Sequence, residues 1–404
     1  MRRAFCAHSR PVKPPGEAAP MSPPIYSPDS QGFDADRFAR LPRAIEADVE
    51  AALIDGAVVI VARGGKIVLH RAFGHAHRDS GRAMALDDVF MSMSLSKQFT
   101  NLSVLQRIER GEIAIDTPVA AVVPEFAEHG KDSITIGHLM THASGLPPVI
   151  LGDRSLNAAD IGSVAAALSR AVPLCPPGEK VMYSPVLAHG LLAEIVRRLD
   201  GGGRRFARIL AEDVFEPIGM TETALGIPDH LRPRYVPVVV RDPTPGLFPP
   251  GVLESSDRLK PDSEMPGGGC TVTAIDLFRF AECWRLRGKG LHRQVLSPAL
   301  ARFALADRTG TMPNEFFDLT PGRPTPSHFS YGFWLRGEGV HASAFGHLAS
   351  PGTFGGLGAG SHVFWVDPAH DLTYLFLSAG LLEERASVER HRRYADLVHA
   401  ALER

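Results

Sequence analysis

Residues 90–100 read FMSMSLSKQFT, and the reading of this stretch decides how the chain is divided. Phe90, Met91, Met93, Leu95 and Phe99 lead into Leu102, Leu105 and Ile108, whose spacing of three predicts a helix packed on all sides. Lys97 stands inside that run. A buried ammonium is costly unless it is paired or gives up its charge, so this lysine either snorkels to solvent or is held in place for chemistry.

The signals on the two sides of the stretch differ. Upstream, AVVIVARGG (57–65) and KIVLHRAFG (66–74) are β-rich and meet at the Gly64–Gly65 turn, which predicts a hairpin. Asp34 to Ile54 reads as a helix ended by Gly56, and the proline-rich residues 1–32 read as a disordered leader. Downstream the patterns are mostly helical, and strong strand signals return only at SHVFWVDP (361–368) and DLTYLFLS (371–378), a second hairpin followed by a helical pattern from Glu383 to Glu403. Strands at both ends predict an α/β (α+β) fold in which one antiparallel sheet, built from both chain termini, is flanked by helices. Residues 33–90 and 325–404 would form that lobe, and 91–324 a large, mostly helical insertion. Within the insertion, residues 241–269 carry too many prolines and glycines for regular structure. The opening stretch falls at the seam between the lobes, where clefts form.

Composition sets the outer bounds. The 404 residues are 44% hydrophobic and 22% charged, with a formal net charge of −2, so no nucleic-acid or polyanion partner is implied. No run approaches the ~18 consecutive apolar residues of a membrane span. Four scattered cysteines lack CxxC spacing and read as inert thiols, and the N-terminus lacks the apolar region of a secretory signal, which makes the cytoplasm the default location. The sequence assigns no oligomeric state.

Ser94 and Lys97 have the spacing Ser-x-x-Lys, whereas Ser92 and Ser96 have Leu95 and Phe99 three residues on. Three residues apart on a helix, the amine and the hydroxyl come within hydrogen-bond reach. Burial and the positive end of the helix dipole both push Lys97 toward a neutral amine, which can take the serine proton. The free amides of the helix start, that of Ser94 among them, suit a developing oxyanion. His138 and His142 lie four apart in HLMTH, but the HExxH glutamate and a third ligand are missing, so no metal site is expected. There is no Gly-x-Ser-x-Gly elbow.

Ser-x-x-Lys is a known motif of the serine β-lactamase-like hydrolases, and the chain resembles that family: class C β-lactamases, penicillin-binding proteins and their esterase relatives. The resemblance runs in order through GRAMALDDVFMSMSLSKQFT, LQRIERGEIAIDTPVAAVVPEF, ITIGHLMTHASGLP, PPGEKVMYSP, FEPIGMTETALGIP and MPGGGCTVTAIDLFRF. It implies Ser94 as nucleophile and Lys97 as its proton acceptor. The family's Tyr-x-Asn becomes Tyr183-Ser184-Pro185, with Tyr183 sharing protons with Lys97 and the leaving group. Proline in place of asparagine has no polar side chain with which to hold a substrate amide or brace the lysine. Where relatives carry Lys-Thr-Gly or His-x-Gly, the best candidate is Gly356-Leu357-Gly358, with strand amides from Leu357 to Gly360 as the second oxyanion donor; His347 is the alternative source of the missing cation.

That cation binds a substrate carboxylate, so its absence implies an uncharged acyl substrate. The resemblance thus implies hydrolysis of a small-molecule ester or amide through an acyl-serine intermediate, chiefly of carboxylic esters, with no cofactor or metal required. The alternatives are a β-lactamase or D-amino-acid peptidase, an acyltransferase, and a catalytically inactive ligand-binding protein.

Overall fold

The Gly64–Gly65 turn is where the sheet begins, because both residues take positive φ (57° and 78°), the pair of angles a tight two-residue hairpin needs. In the computed structural model, which describes residues 23–150, 153, 155–242, 244, 249–310, 312–315 and 325–403, this turn joins β1 (Gly56–Arg63) to β2 (Lys66–His77). The remaining strands are β3 (Arg82–Ala83), β4 (Val89–Met91), β5 (Ala224–Leu225), β6 (Cys270–Thr273), β7 (Trp334–Leu335), β8 (Phe354–Gly358), β9 (His362–Asp367) and β10 (Leu372–Ala379). Seven of them form an antiparallel sheet in the order β3-β2-β1-β10-β9-β8-β7. Its central pairing joins the two ends of the chain, from Gly56 opposite Ala379 to Arg63 opposite Leu372.

Helices cover both faces, which is why β1 and β10 are apolar on both sides and buried along nearly all their length. On one face lie α1 (Ala35–Phe38), α2 (Arg40–Glu50) and the C-terminal helix, numbered α12 (Glu384–Ala400), packed on Val59, Trp365, Tyr374 and Phe376. The other face meets the larger core through Ile60, Phe364, Leu375 and Leu377. On that side are α3 (Ser96–Glu109), α4 (Ile136–Met140), α5 (Ile161–Arg170), α6 (Leu187–Leu199), α7 (Phe206–Ile209), α8 (Glu216–Ile218), α10 (Ala274–Arg285) and α11 (Pro298–Ala304), while α9 (Pro250–Glu254) packs through Leu253 on a small separate cluster that includes Ile227, Val238 and Leu381. Helix α3 is buried from Ser96 to Arg107, so the central helix of this side is the one the opening stretch predicts.

Several expectations need correcting. Residues 23–32, assigned to a disordered leader, lie against the sheet: Tyr26 N donates to Ile67 O at 2.8 Å, and Asp29–Gln31 form a 3-10 turn; residues 1–22 fall outside the described residues. The helix expected over 34–54 is two helices and ends at Glu50, just before Ala52 turns the chain with a φ of +60° and Gly56 opens β1. Inside the helical side, β4, β6 and β5 make a small second sheet that short apolar runs did not announce. The irregular 241–269 segment includes the short α9.

Candidate active site

Strand β4 delivers the chain to Ser94. It pairs with β6, Phe90 opposite Val272, and Ser92 N then donates to Cys270 O at 2.8 Å. The hydroxyls of Ser92 and Ser96 are 2.8 Å apart, and Ser96 Oγ also accepts from Cys270 N at 3.0 Å. Between them Met93 takes φ +52°, a conformation unfavourable for a residue with a side chain and held here by the pairing on either side. The resulting sharp turn presents Ser94 in a short 3-10 segment, Met93–Leu95, that runs straight into α3.

Lys97 lies one turn further on and is 3% exposed. Its Nζ is 3.0 Å from Ser94 Oγ and donates to the carbonyl oxygens of Pro185 and Gly267, each at 2.6 Å. These three contacts serve both protonation states. A neutral amine uses its two N–H groups on the carbonyls and faces Ser94 with its lone pair, while an ammonium finds three acceptors. Burial pushes the amine's pKa down to about 7, so the two states are balanced near neutrality.

Tyr183 closes the group. Its ring centroid is 5.1 Å from Lys97 Nζ; burial drives the phenol's pKa upward, and its hydrogen bond with Ser94 pulls the other way. The tyrosine is held by His142. Met182 N donates to His142 O at 2.9 Å and Ser184 N to His142 Nδ1 at 3.1 Å, while the His142 and Tyr183 rings are 4.5 Å apart. His138, four residues earlier, accepts from Thr135 N through Nδ1 at the start of α4. Both histidines considered as metal ligands therefore use Nδ1 on the chain's own amides.

The third segment lies on β8, against the Ser94 turn. A Cβ built on Gly356 would fall 2.9 Å from both the Leu95 side chain and Gln98 Oε1, and one on Gly358 would fall 2.8 Å from Ser92 O. The two glycines thus let the strand approach closely. Leu357 points to the opposite face, and Gly360, at φ +74°, turns the chain toward β9. His347 is not the displaced histidine: its main-chain N donates to Asp396 of α12 at 2.6 Å, on the face of the sheet turned away from Ser94.

Sequence reasoning missed the lysine's two carbonyl partners. Pro185 was expected to leave the lysine unbraced for want of a polar side chain, but its main-chain oxygen makes the contact. Gly267 supplies the other from the Pro266-Gly267-Gly268-Gly269 run, where a Cβ would meet Val186 Cα at 2.8 Å. The glycine run was the available signal, since such a run permits close backbone approach. His142 carried no comparable signal.

A sequence profile of the Beta-lactamase family matches residues 41–399. Esterase EstB of Burkholderia gladioli is 31% identical over 298 residues, covering 66% of this chain and 74% of that protein. Penicillin-binding protein 4 of Amycolatopsis lactamdurans is 32% identical over 224 residues, 52% of this chain and 54% of that one. Among solved structures, a penicillin-binding protein homolog from Caulobacter crescentus superposes with a TM-score of 0.76 at 24% identity, over 92% of this chain and 99% of that one, which is a likeness of fold. No described helix is long and apolar enough to cross a membrane.

Proposed function

The chain belongs to the beta-lactamase family, and we propose that it is a serine hydrolase that cleaves carboxylic esters through an acyl-Ser94 intermediate. The observation that carries this reading is Lys97, an amine with a pKa near 7, whose Nζ is 3.0 Å from the Ser94 hydroxyl. Neutral Lys97 takes the proton as Ser94 Oγ attacks the ester carbonyl. The amide of Ser94 and a strand amide just past Gly358 hold the oxyanion. Tyr183, hydrogen-bonded to Ser94, passes the proton to the leaving alcohol, and water completes the cycle in the reverse order.

Two observations favour esters over β-lactams. Gly356 places no cation beside Ser94 to receive a substrate carboxylate, and Pro185 offers no side-chain amide. The similarity to an esterase over three quarters of that protein's length supports the same choice. The second reading, a β-lactamase or D-amino-acid peptidase, is favoured by the similarity to a penicillin-binding protein.

The test is intact-mass analysis after fluorophosphonate treatment, with wild type giving one adduct that Ser94→Ala loses. Labelling that persists in the variant removes Ser94 from its role. Turnover of short p-nitrophenyl esters is expected to exceed that of nitrocefin and of D-Ala-D-Ala peptides; the reverse order selects the second reading. Added alcohol or amine acceptors that divert most of the acyl group from water would make the enzyme an acyltransferase.

A further inference from the structure

Away from Ser94, three side chains from separate elements converge: Asp367 at the end of β9, His370 in the turn to β10, and His399 in the last turn of α12. One donor atom from each lies within 4.8 Å of the others. His370 Nδ1 and His399 Nε2 both face Asp367 Oδ2, at 2.9 and 3.0 Å. Trp365 stacks on the His399 ring with centroids 5.0 Å apart.

The protons in this cluster are the puzzle. His399 Nδ1 is 2.8 Å from Ala395 O, a contact that requires Nδ1 to carry the hydrogen. In a neutral imidazole Nε2 is then a lone pair, yet it faces a carboxylate oxygen. Two electron-rich atoms so close need a positive charge between them, either a proton or a metal ion. The rest of the cluster is arranged as an outer shell. Asp367 Oδ1 accepts from Ser350 Oγ at 2.6 Å and Ala369 N at 3.0 Å, and Oδ2 accepts from Ser350 N at 3.0 Å, so the carboxylate is fixed in orientation. A histidine that donates one ring nitrogen to a backbone carbonyl and offers the other is the usual form of a metal ligand. The C-terminal end of α12 adds a favourable field for a cation.

We propose that Asp367, His370 and His399 bind a divalent transition-metal cation of the Zn2+ or Co2+ type, which ties the β9–β10 turn to the end of α12. Two imidazoles and a carboxylate suit such borderline ions, and water completes the coordination. Access is from the side of His370, which is 37% exposed and lines a cleft of about 520 Å³ with Gly32, Arg63 and Lys66. Those two cations weaken the site relative to a closed four-ligand centre, although Arg63 is engaged by the carbonyls of Gln31, Gly32 and His370. The role is structural. Asp367 is five residues along β9 from His362, which pairs with Gly358 beside the Ser94 turn, a separation on the order of 17 Å.

The test uses the tag-free full chain, stripped with a chelator and titrated with Co2+. Expected are visible absorption saturating at one Co2+ per chain, its loss when Zn2+ is added, and a melting temperature raised about 3–6 °C at Zn2+ a hundredfold above its dissociation constant. His370→Ala, at a partly exposed position, folds and loses both responses, as does His399→Gln, while ester hydrolysis stays at the wild-type rate. A chain that shows no Co2+ absorption and no Zn2+ effect on melting holds this cluster together with a proton, which overturns the proposal. Responses that survive in both variants place the metal elsewhere and overturn it as well.

Discussion

Two buried charged groups on opposite faces of the seven-stranded sheet, Lys97 and Asp48, are held on opposite terms. On the helical side Lys97 is surrounded by uncharged acceptors, one hydroxyl and two carbonyls, so losing its proton breaks no ion pair. On the other face Asp48 accepts from the Arg393 guanidinium at 2.6 Å and from the Tyr394 hydroxyl at 2.6 Å, so it has both a charged partner and a hydroxyl donor. The difference teaches how a fold separates reactivity from support. Neutral partners leave a buried group free to titrate, whereas a charged partner fixes its state.

Substitutions on each face test this contrast. The largest effect is expected from Lys97→Ala, which lowers kcat per folded molecule for p-nitrophenyl esters by about 10²–10⁴-fold. In the wild type, kcat/KM should rise as pH passes about 7 and level off above it, because only the neutral amine accepts the serine proton. Near-full activity in the variant, or a profile flat from pH 5 to 9, breaks the proposed scheme. Asp48→Ala should do the reverse, costing about 2 kcal/mol in urea unfolding, chiefly through the abandoned Tyr394 hydroxyl because Arg393 is half exposed, while kcat per folded molecule holds. A drop in kcat with no loss of stability would merge the two faces.

A smaller effect follows from linkage. Lys97 has a folded pKa of about 7 against 10.5 in the unfolded chain, so between these values the unfolded state binds the extra proton and stability rises with pH. Relative to Lys97→Met, the wild type should gain about 2 kcal/mol from pH 7 to pH 9 in paired denaturation curves. Parallel curves would mean that the amine is charged at neutrality. The smallest change is Gly356→Ala, expected to cost about 1 kcal/mol, since the new methyl meets only the tips of Leu95 and Gln98. Tolerance with improved stability would show that the strand is not pressed against the Ser94 turn.

What the sequence announced and what it hid follow the same division between side chains and main chain. The hairpins, the buried α3 and the Ser94–Lys97 spacing were legible because each rests on side-chain pattern within a short window. Met93 in a left-handed conformation was not, since nothing in its side chain asks for it and the constraint comes from β6, far along the chain. Nor were the carbonyls of Pro185 and Gly267, because every residue has one and only the fold selects which will meet the lysine. His347 misled for the converse reason: a suitable side chain near the right motif was carried to the wrong face.

The pairing of β1 with β10 has a consequence for biosynthesis. Strand β1 is made early, yet its partner on one side follows only after roughly 300 further residues. At ~5–20 residues per second the nascent hairpin waits on the order of 15–60 s with an unpaired, apolar edge. Throughout that interval the growing polypeptide offers a template for intermolecular strand addition, a hazard that ends only when β10 emerges to pair with β1.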